Sequence, residues 1–337
     1  MIKFLLSTFF SIVFAGVLYV AWLYTDMQKS LDSPMTLQES TATFVVNSGD
    51  NMKMISHKLS QIKAYEHPEF LRLSTRLREL DSRIQAGEYE LTQGMTPNDF
   101  LTMVTEGRVI QHSVTLVEGW TFDQFLNALS AKDDLKKELT GLTKDQIMLK
   151  LNKPEEHPEG RFFPDSYFYT IGSSDFDILE RAYEAMEKNS QKLWEAREKG
   201  LPYKSLYEAM IMASIVEKET GRADERPTIA GVFVRRLQKN MKLQTDPTVI
   251  YGIGSTYDGN ITRKHLTTDT PYNTYTRKGL PPTPIAMFGN ASLEAALHPE
   301  KGDALFFVAK GDGTGSHYFS ATFKEHNAAV KKYQLKQ

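Results

Sequence analysis

Residues 42–61 read ATFVVNSGDNMKMISHKLSQ, and the hydrophobic period changes part-way along. Phe44, Val45 and Val46 form a short strand-favouring run closed by Ser48-Gly49-Asp50, whereas Met52, Ile55 and Leu59 recur at helical spacing. A strand therefore turns into a helix. Downstream, PEFLRLSTRLREL (68–80) predicts a second helix with Phe70, Leu73, Leu77 and Leu80 on one face. AGEYELTQGMTPNDFLTMVTEG (86–107) predicts a strand, a turn at Gly94 and a helix with Thr96 as N-cap and Pro97 at its first position. The order strand, helix, helix, strand, helix makes 42–112 a small α/β unit and the chain α+β.

Upstream, FLLSTFFSIVFAGVLYVAWLY (4–24) runs 21 residues without a charge, enough to cross a bilayer core of about 30 Å as a helix. Trp22 and Tyr24 sit at its end, where amphipathic rings favour the interface. A cleaved signal peptide has a shorter apolar region and a small-x-small site, so an uncleaved anchor (1–25) is expected. With only Lys3 charged before the span, the bulk of the chain is expected outside the cytoplasm. Residues 26–41, polar and containing Pro34, read as a stalk. The 337 residues hold 40 Lys and Arg against 42 Asp and Glu, so no basic field holds a nucleic acid. There is no cysteine, which excludes disulfides, thiolate zinc sites and a Cys nucleophile.

A larger unit, 113–337, follows. SVTLVEGWTFDQFLNAL (113–129) predicts a strand over Val114 to Val117, a turn at Glu118-Gly119 and a helix after Thr121. Residues 131–158 are charged and read as a surface elaboration. EGRFFPDSYFYT (159–170) is too aromatic for an exposed loop, and a long helix is expected from about Asp175 to Lys199.

In the next helix, Ser205 to Thr220, a step of about 100° per residue puts Leu206, Met210, Ala213 and Glu217 within about 60° of one another. Glu219 points about 160° from Glu217, so only one of the two can be a central acid. A carboxyl against apolar neighbours is easier to protonate and can then act as an acid. The alternative is that Glu217 pairs with an arginine such as Arg226 or Arg236, or caps backbone groups; spacing alone does not decide. Downstream, KLQTDPTVIYGIG (242–254) carries Gln244, Asp246 and Tyr251; PYNTYTRKGLPPTPI (271–285) carries Asn273 and Tyr275; GTGSHYFSATFKEHN (313–327) carries His317. Amide, hydroxyl and aromatic groups of this kind hold sugars by hydrogen bonds and ring stacking, and together they predict a polar cleft. His317 is either a cleft hydrogen-bonder or a satisfied structural histidine, and the histidines show no metal-ligand spacing.

The ordered stretches EGRFFPDSY (159–167), ASIVEKET (213–220), Glu225-Arg226, LQTDPTVIYG (243–252), PYNTYTRKGLPPTPI and FFVAKGDGTGSHYFSATFKEHN (306–327) closely resemble the membrane-anchored endolytic murein transglycosylases, the YceG-like family. Met287-Phe288 and Thr283 depart from the family's usual proline loop. The phrase FVVNSGDNMKMISHKL (44–59) resembles the opening of a LysM-like glycan-binding module, with a plain α/β packing unit as the alternative.

The resemblance implies a cofactor-free and metal-free lyase of the bacterial inner membrane with its catalytic domain in the periplasm. It would cut the β-1,4 bond between N-acetylmuramic acid and N-acetylglucosamine in nascent strands. The cut leaves 1,6-anhydro ends and terminates elongation beside peptidoglycan synthases, the penicillin-binding proteins. It matches Glu217 to the catalytic glutamate, with Glu219, Gln244, Asp246, Tyr251, Asn273, Tyr275 and His317 as substrate contacts. The rival readings are a muramidase that uses water and a glycan-binding scaffold that does not cut.

Overall fold

The computed structural model describes residues 2–335. Its first element, α1 (Ile2–Asp32), is one unbroken helix whose side chains from Phe4 to Trp22 are almost all exposed, and it is long and apolar enough to cross a membrane. The helix does not give way to a stalk. Met27 and Leu31, one turn apart, and Met35 just beyond are buried in the core of the small unit. Ser30 shares a hydrogen bond with Tyr65 at 2.9 Å, and Asn98 donates to Asp32 at 2.7 Å. The polar majority of residues 26–41 conceals a three-residue apolar stripe, and that stripe sets the fate of the segment.

The chain forms two compact units, one up to residue 112 with 168–172, the other 113–167 with 173 onward. The first pairs β1 (Thr41–Val46) antiparallel with β2 (Gly87–Thr92), Phe44 opposite Tyr89. Between and after them come α2 (Met52–Gln61), α3 (Pro68–Leu77) and α4 (Pro97–Glu106). Asn51 caps α2, and Thr96 with Asp99 forms a capping box on α4. Phe44, Ile55, Leu59, Tyr89 and Phe100 fill the core. On α3 the buried stripe is Phe70, Leu71, Ser74 and Thr75, while Leu73 and Leu77 are exposed. Both stripes lie on one side of a helix, and counting leucines could not choose between them.

The second unit begins in β3 (His112–Thr115), two residues earlier than the strand read from the sequence and of the same length, and continues through α5 (Phe122–Ser130), α6 (Lys144–Lys150) and the first half of β4 (Ser166–Tyr169). Leu135, Leu139, Ile147, Met148 and Leu151 are buried, so residues 131–158 are part of a core rather than a surface elaboration. The aromatic run is internal too, with Phe162 stacked on Phe122 at 4.9 Å. Helix α7 (Asp175–Glu195) leads to α8 (Leu206–Glu219), which is buried continuously from Ala209 to Val216. Around α8 pack α7, α9 (Arg226–Gln238), α10 (Asp246–Ile253) and α12 (Asn290–Leu297); α11 (Arg263–Thr267) lies on the connection between α10 and α12. The chain closes with the antiparallel hairpin β5 (Phe306–Ala309) and β6 (His317–Ser320), followed by α13 (Phe323–Tyr333).

Candidate active site

Helix α8 carries Glu217 and Glu219 out of the core at its C-terminal end, and its rotation sends them to different places. Glu217 Oε2 accepts hydrogen bonds from the Ser292 hydroxyl at 2.7 Å and the Gly289 N–H at 3.2 Å, and Oε1 lies 3.7 Å from the Arg226 guanidinium. Gly289 is the N-cap of α12 and has no side chain with which to cap. The carboxylate of Glu217 supplies that cap from another helix, where the α12 dipole and its free N–H groups favour negative charge. Glu118 crowds the same glycine, where a Cβ would overlap its Oε1. Burial and then the charge of Glu217 push the Glu118 carboxyl up, and Arg226 opposes them. Both alternatives weighed for Glu217, pairing with Arg226 and backbone capping, are present, and they also fix where its carboxyl points.

Glu219 faces a cavity of about 430 Å³. Thr245 donates its hydroxyl to the Glu219 carboxyl. Burial raises that carboxyl to about 7, against the lowering effect of the Thr245 hydrogen bond, and the nearby Asp246 carboxylate adds to the rise. Asp246 accepts from the Tyr275 hydroxyl at 2.6 Å. Two loops place these groups. Thr274 accepts from the Thr245 N–H at 3.1 Å and shares a hydrogen bond with Thr248, while the Gln244 N–H donates to the Thr274 carbonyl. Gln244 holds φ of 54°, a left-handed conformation unusual away from glycine and compatible with a functional turn.

Arg236 ties the walls together. Its guanidinium donates to the carbonyls of Leu305, Lys242 and Leu243 and to Gln244 Oε1. The opposite wall comes from β5, β6 and α13, with Phe306, Phe307, His317 and His326. His317 is clamped by Glu225: its backbone N–H donates to Oε1 at 2.9 Å and its ring Nδ1 lies 2.7 Å from Oε2.

Of the residues expected to hold substrate, Glu219, Gln244, Asp246, Tyr275 and His317 share this cavity. Tyr251 and Asn273 do not. The Tyr251 hydroxyl donates to Glu159 at 3.0 Å. Glu159 is fully buried and raised to about 7 by that burial, partly offset by the Tyr251 hydroxyl and the Phe122 N–H. Asn273 spends its amide on the carbonyls of His265, Leu266 and Thr268 and accepts from the Tyr275 N–H, so it shapes the loop that presents Tyr275. The sequence reading passed over Thr245, though it lies between two residues singled out, and considered Arg236 only as a partner for Glu217. A threonine beside two polar cleft candidates was the available signal for the first; nothing local marks the second.

The model of the YceG-like family matches residues 44–332. The chain belongs to the YceG-like family. The match runs from β1 into α13 and includes Glu217, Glu219 and all but the last residue, Gln334, of the cavity lining. The YceG-like chain is 33% identical to the endolytic murein transglycosylase of Bacillus subtilis (strain 168), covering 90% of this chain and 88% of that one. It is 25% identical to the endolytic murein transglycosylase of Streptococcus pneumoniae serotype 2 (strain D39), covering 92% of this chain and 62% of that one. A crystal structure of a YceG-like protein from Listeria monocytogenes matches 86% of this chain and 99% of its own, with a TM-score of 0.54 and 30% identity.

Proposed function

We propose that this YceG-like protein is an endolytic murein transglycosylase anchored by α1, in which Glu217 is the acid and Glu219, on the wall of the cavity with Gln244, Asp246, Tyr275 and His317, contacts substrate. The observation that supports the assignment is a glutamate at the end of buried α8, inside the family match, whose carboxyl is aimed by the Ser292 hydroxyl, the Gly289 N–H and Arg226. A carboxyl held in one orientation can give its proton to the glycosidic oxygen. As the bond between N-acetylmuramic acid and N-acetylglucosamine breaks, positive charge grows at the muramyl C1. The Asp246 carboxylate, held by Tyr275, is the nearby negative charge fit to moderate it. The muramyl C6 oxygen then closes on C1 without water and passes its hydroxyl proton to the carboxylate that gave up the first one, leaving a 1,6-anhydro end and the acid restored. Phe306 and Phe307 offer apolar faces for a sugar ring.

The placement follows from the same reading: a single pass through the inner membrane, the two units in the periplasm, and nascent glycan strands as substrate. The first unit is a LysM-like glycan holder, fixed to the anchor because the end of α1 belongs to its core. Cleavage there ends strand growth, with peptidoglycan synthases as the partners whose product is cut.

Digestion of purified sacculi by the parent protein and by Glu217→Gln, with products read by mass spectrometry, tests the proposal. Anhydro-terminated fragments from the parent and a near-complete loss in the variant are expected. Reducing ends in place of anhydro ends would mean a muramidase, and no cleavage by the parent would mean a scaffold.

A further inference from the structure

We propose that Arg226 recognises the muramyl unit of the strand, by donating to the amide carbonyl that joins its lactyl group to the peptide stem, and so selects which of the two alternating β-1,4 bonds meets Glu217. This rests on the transglycosylase reading above and adds a specificity-determining residue to it.

N-acetylmuramic acid is N-acetylglucosamine with a lactyl ether at O3. An enzyme that cuts after one of these sugars and not the other has to sense that ether, and a hydrogen bond made only to the correct sugar discriminates strongly. The group that makes it belongs beside the acid.

Arg226 opens α9, and its guanidinium lies 3.7 Å from Glu217 Oε1, an ion pair too long for a hydrogen bond. Its Nε is buried, and among the described residues no acceptor takes a hydrogen bond from this guanidinium. Its neighbours are spent. Arg222 donates to Asp224 and the Thr314 carbonyl, Arg235 to the carbonyls of Ala304 and Glu300, and Arg236 to those of Leu305, Lys242 and Leu243. A guanidinium presents five N–H donors in a fixed fork, and leaving them unmet costs free energy that an incoming acceptor recovers. Arg226 keeps 13% of its side chain exposed and Glu217 keeps 7%, so a ligand can touch both.

The surrounding charges choose the acceptor. Glu217 comes from α8, and Glu118, which feels the charge of both Glu217 and Arg226, comes from the turn after β3. That turn is fixed: the Gly119 N–H donates to the Met287 carbonyl at 2.8 Å and the Met287 N–H to the Trp120 carbonyl at 2.7 Å. Two carboxyl groups beside one guanidinium repel a third carboxylate, whereas the neutral oxygen of an amide accepts from the fork without that repulsion.

The test uses the full-length protein with stem-bearing murein strands and with chito-oligosaccharides of equal length, which lack every lactyl group. In a Glu217→Gln background, adding Arg226→Gln should weaken binding of the murein strand by about 10- to 100-fold and leave chito-oligosaccharide binding unchanged. Arg226→Lys in the same background should fall between, because it keeps the charge and loses the fork, and it replaces the glutamine variant if that one does not fold. With the acid intact, Arg226→Gln should also form 1,6-anhydro ends on N-acetylglucosamine beside those on the muramyl sugar, seen by mass spectrometry. Equal loss of affinity for both glycans, or unchanged affinity for murein, would overturn the assignment. A parent protein that makes no anhydro ends would instead defeat the transglycosylase reading, so the two failures are distinguishable.

Discussion

Exchanging Glu217 and Glu219 for glutamine, one at a time, separates the roles that the fold gives these two carboxyls. Glu217→Gln removes the transferable proton but keeps an acceptor for Ser292 or Gly289. Loss of a general acid costs about 10²- to 10⁴-fold in rate, or about 3 to 5 kcal/mol of barrier. Glu219→Gln keeps an oxygen to accept from Thr245, so the cavity wall is preserved, and should become relatively more stable than the parent as pH rises. The Glu219 carboxyl goes from 4.5 unfolded to about 7 folded, so the native state holds a proton that the unfolded state has lost. Its stabilising contribution is complete below about 4.5 and disappears as pH climbs to 7, a swing of about 3 kcal/mol that the amide lacks. Glu217→Gln also removes the charge at the start of α12 and beside Arg226, costing about 1 kcal/mol of stability. The cleavage rate of Glu219→Gln should fall far less than that of Glu217→Gln. Anhydro-end release measured alongside thermal melts at pH 5 and pH 8 reads both effects. Normal cutting by Glu217→Gln would refute the reasoning.

Two further outcomes follow from the same contacts. Ser292→Ala, at a fully buried hydroxyl that donates to Glu217, should lower stability by about 1 to 3 kcal/mol in chemical denaturation and slow cleavage by releasing the Glu217 carboxyl from its orientation. A chain truncated to begin at residue 33 should melt well below one that begins at residue 26, because it loses Met27 and Leu31 from the core, and Leu31→Ala alone should cost about 2 to 5 kcal/mol. Equal melting of the two truncated chains would return residues 26–41 to the role of a stalk.

Much of the architecture was legible locally. The change of period near Asp50, the Thr96 cap and the apolar run of α1 each determine a strand, a helix or a potential membrane span through the geometry of neighbouring residues alone. The stalk was misread for the converse reason: Met27, Leu31 and Met35 are few among polar neighbours, and only the helices and sheet packed around them reveal their purpose. The polar cleft was visible as a set of residue types, and five of its members do converge. Asn273 and Tyr251 are of the same types but are spent on loop carbonyls and on Glu159, partners far away in sequence.

Helix α8 shows where the division falls. Its sequence alone determined that Glu217 and Glu219 point in nearly opposite directions and that one acid at most could serve a single cavity, because the angle between side chains is a property of the helix. What meets each side was decided elsewhere. The N-terminus of α12 and Arg226 hold Glu217, while the 244–246 loop and the β5–β6 hairpin form a cavity beside Glu219. Those segments lie from about ten to about a hundred residues downstream, and only tertiary packing brings them to one or the other face of α8.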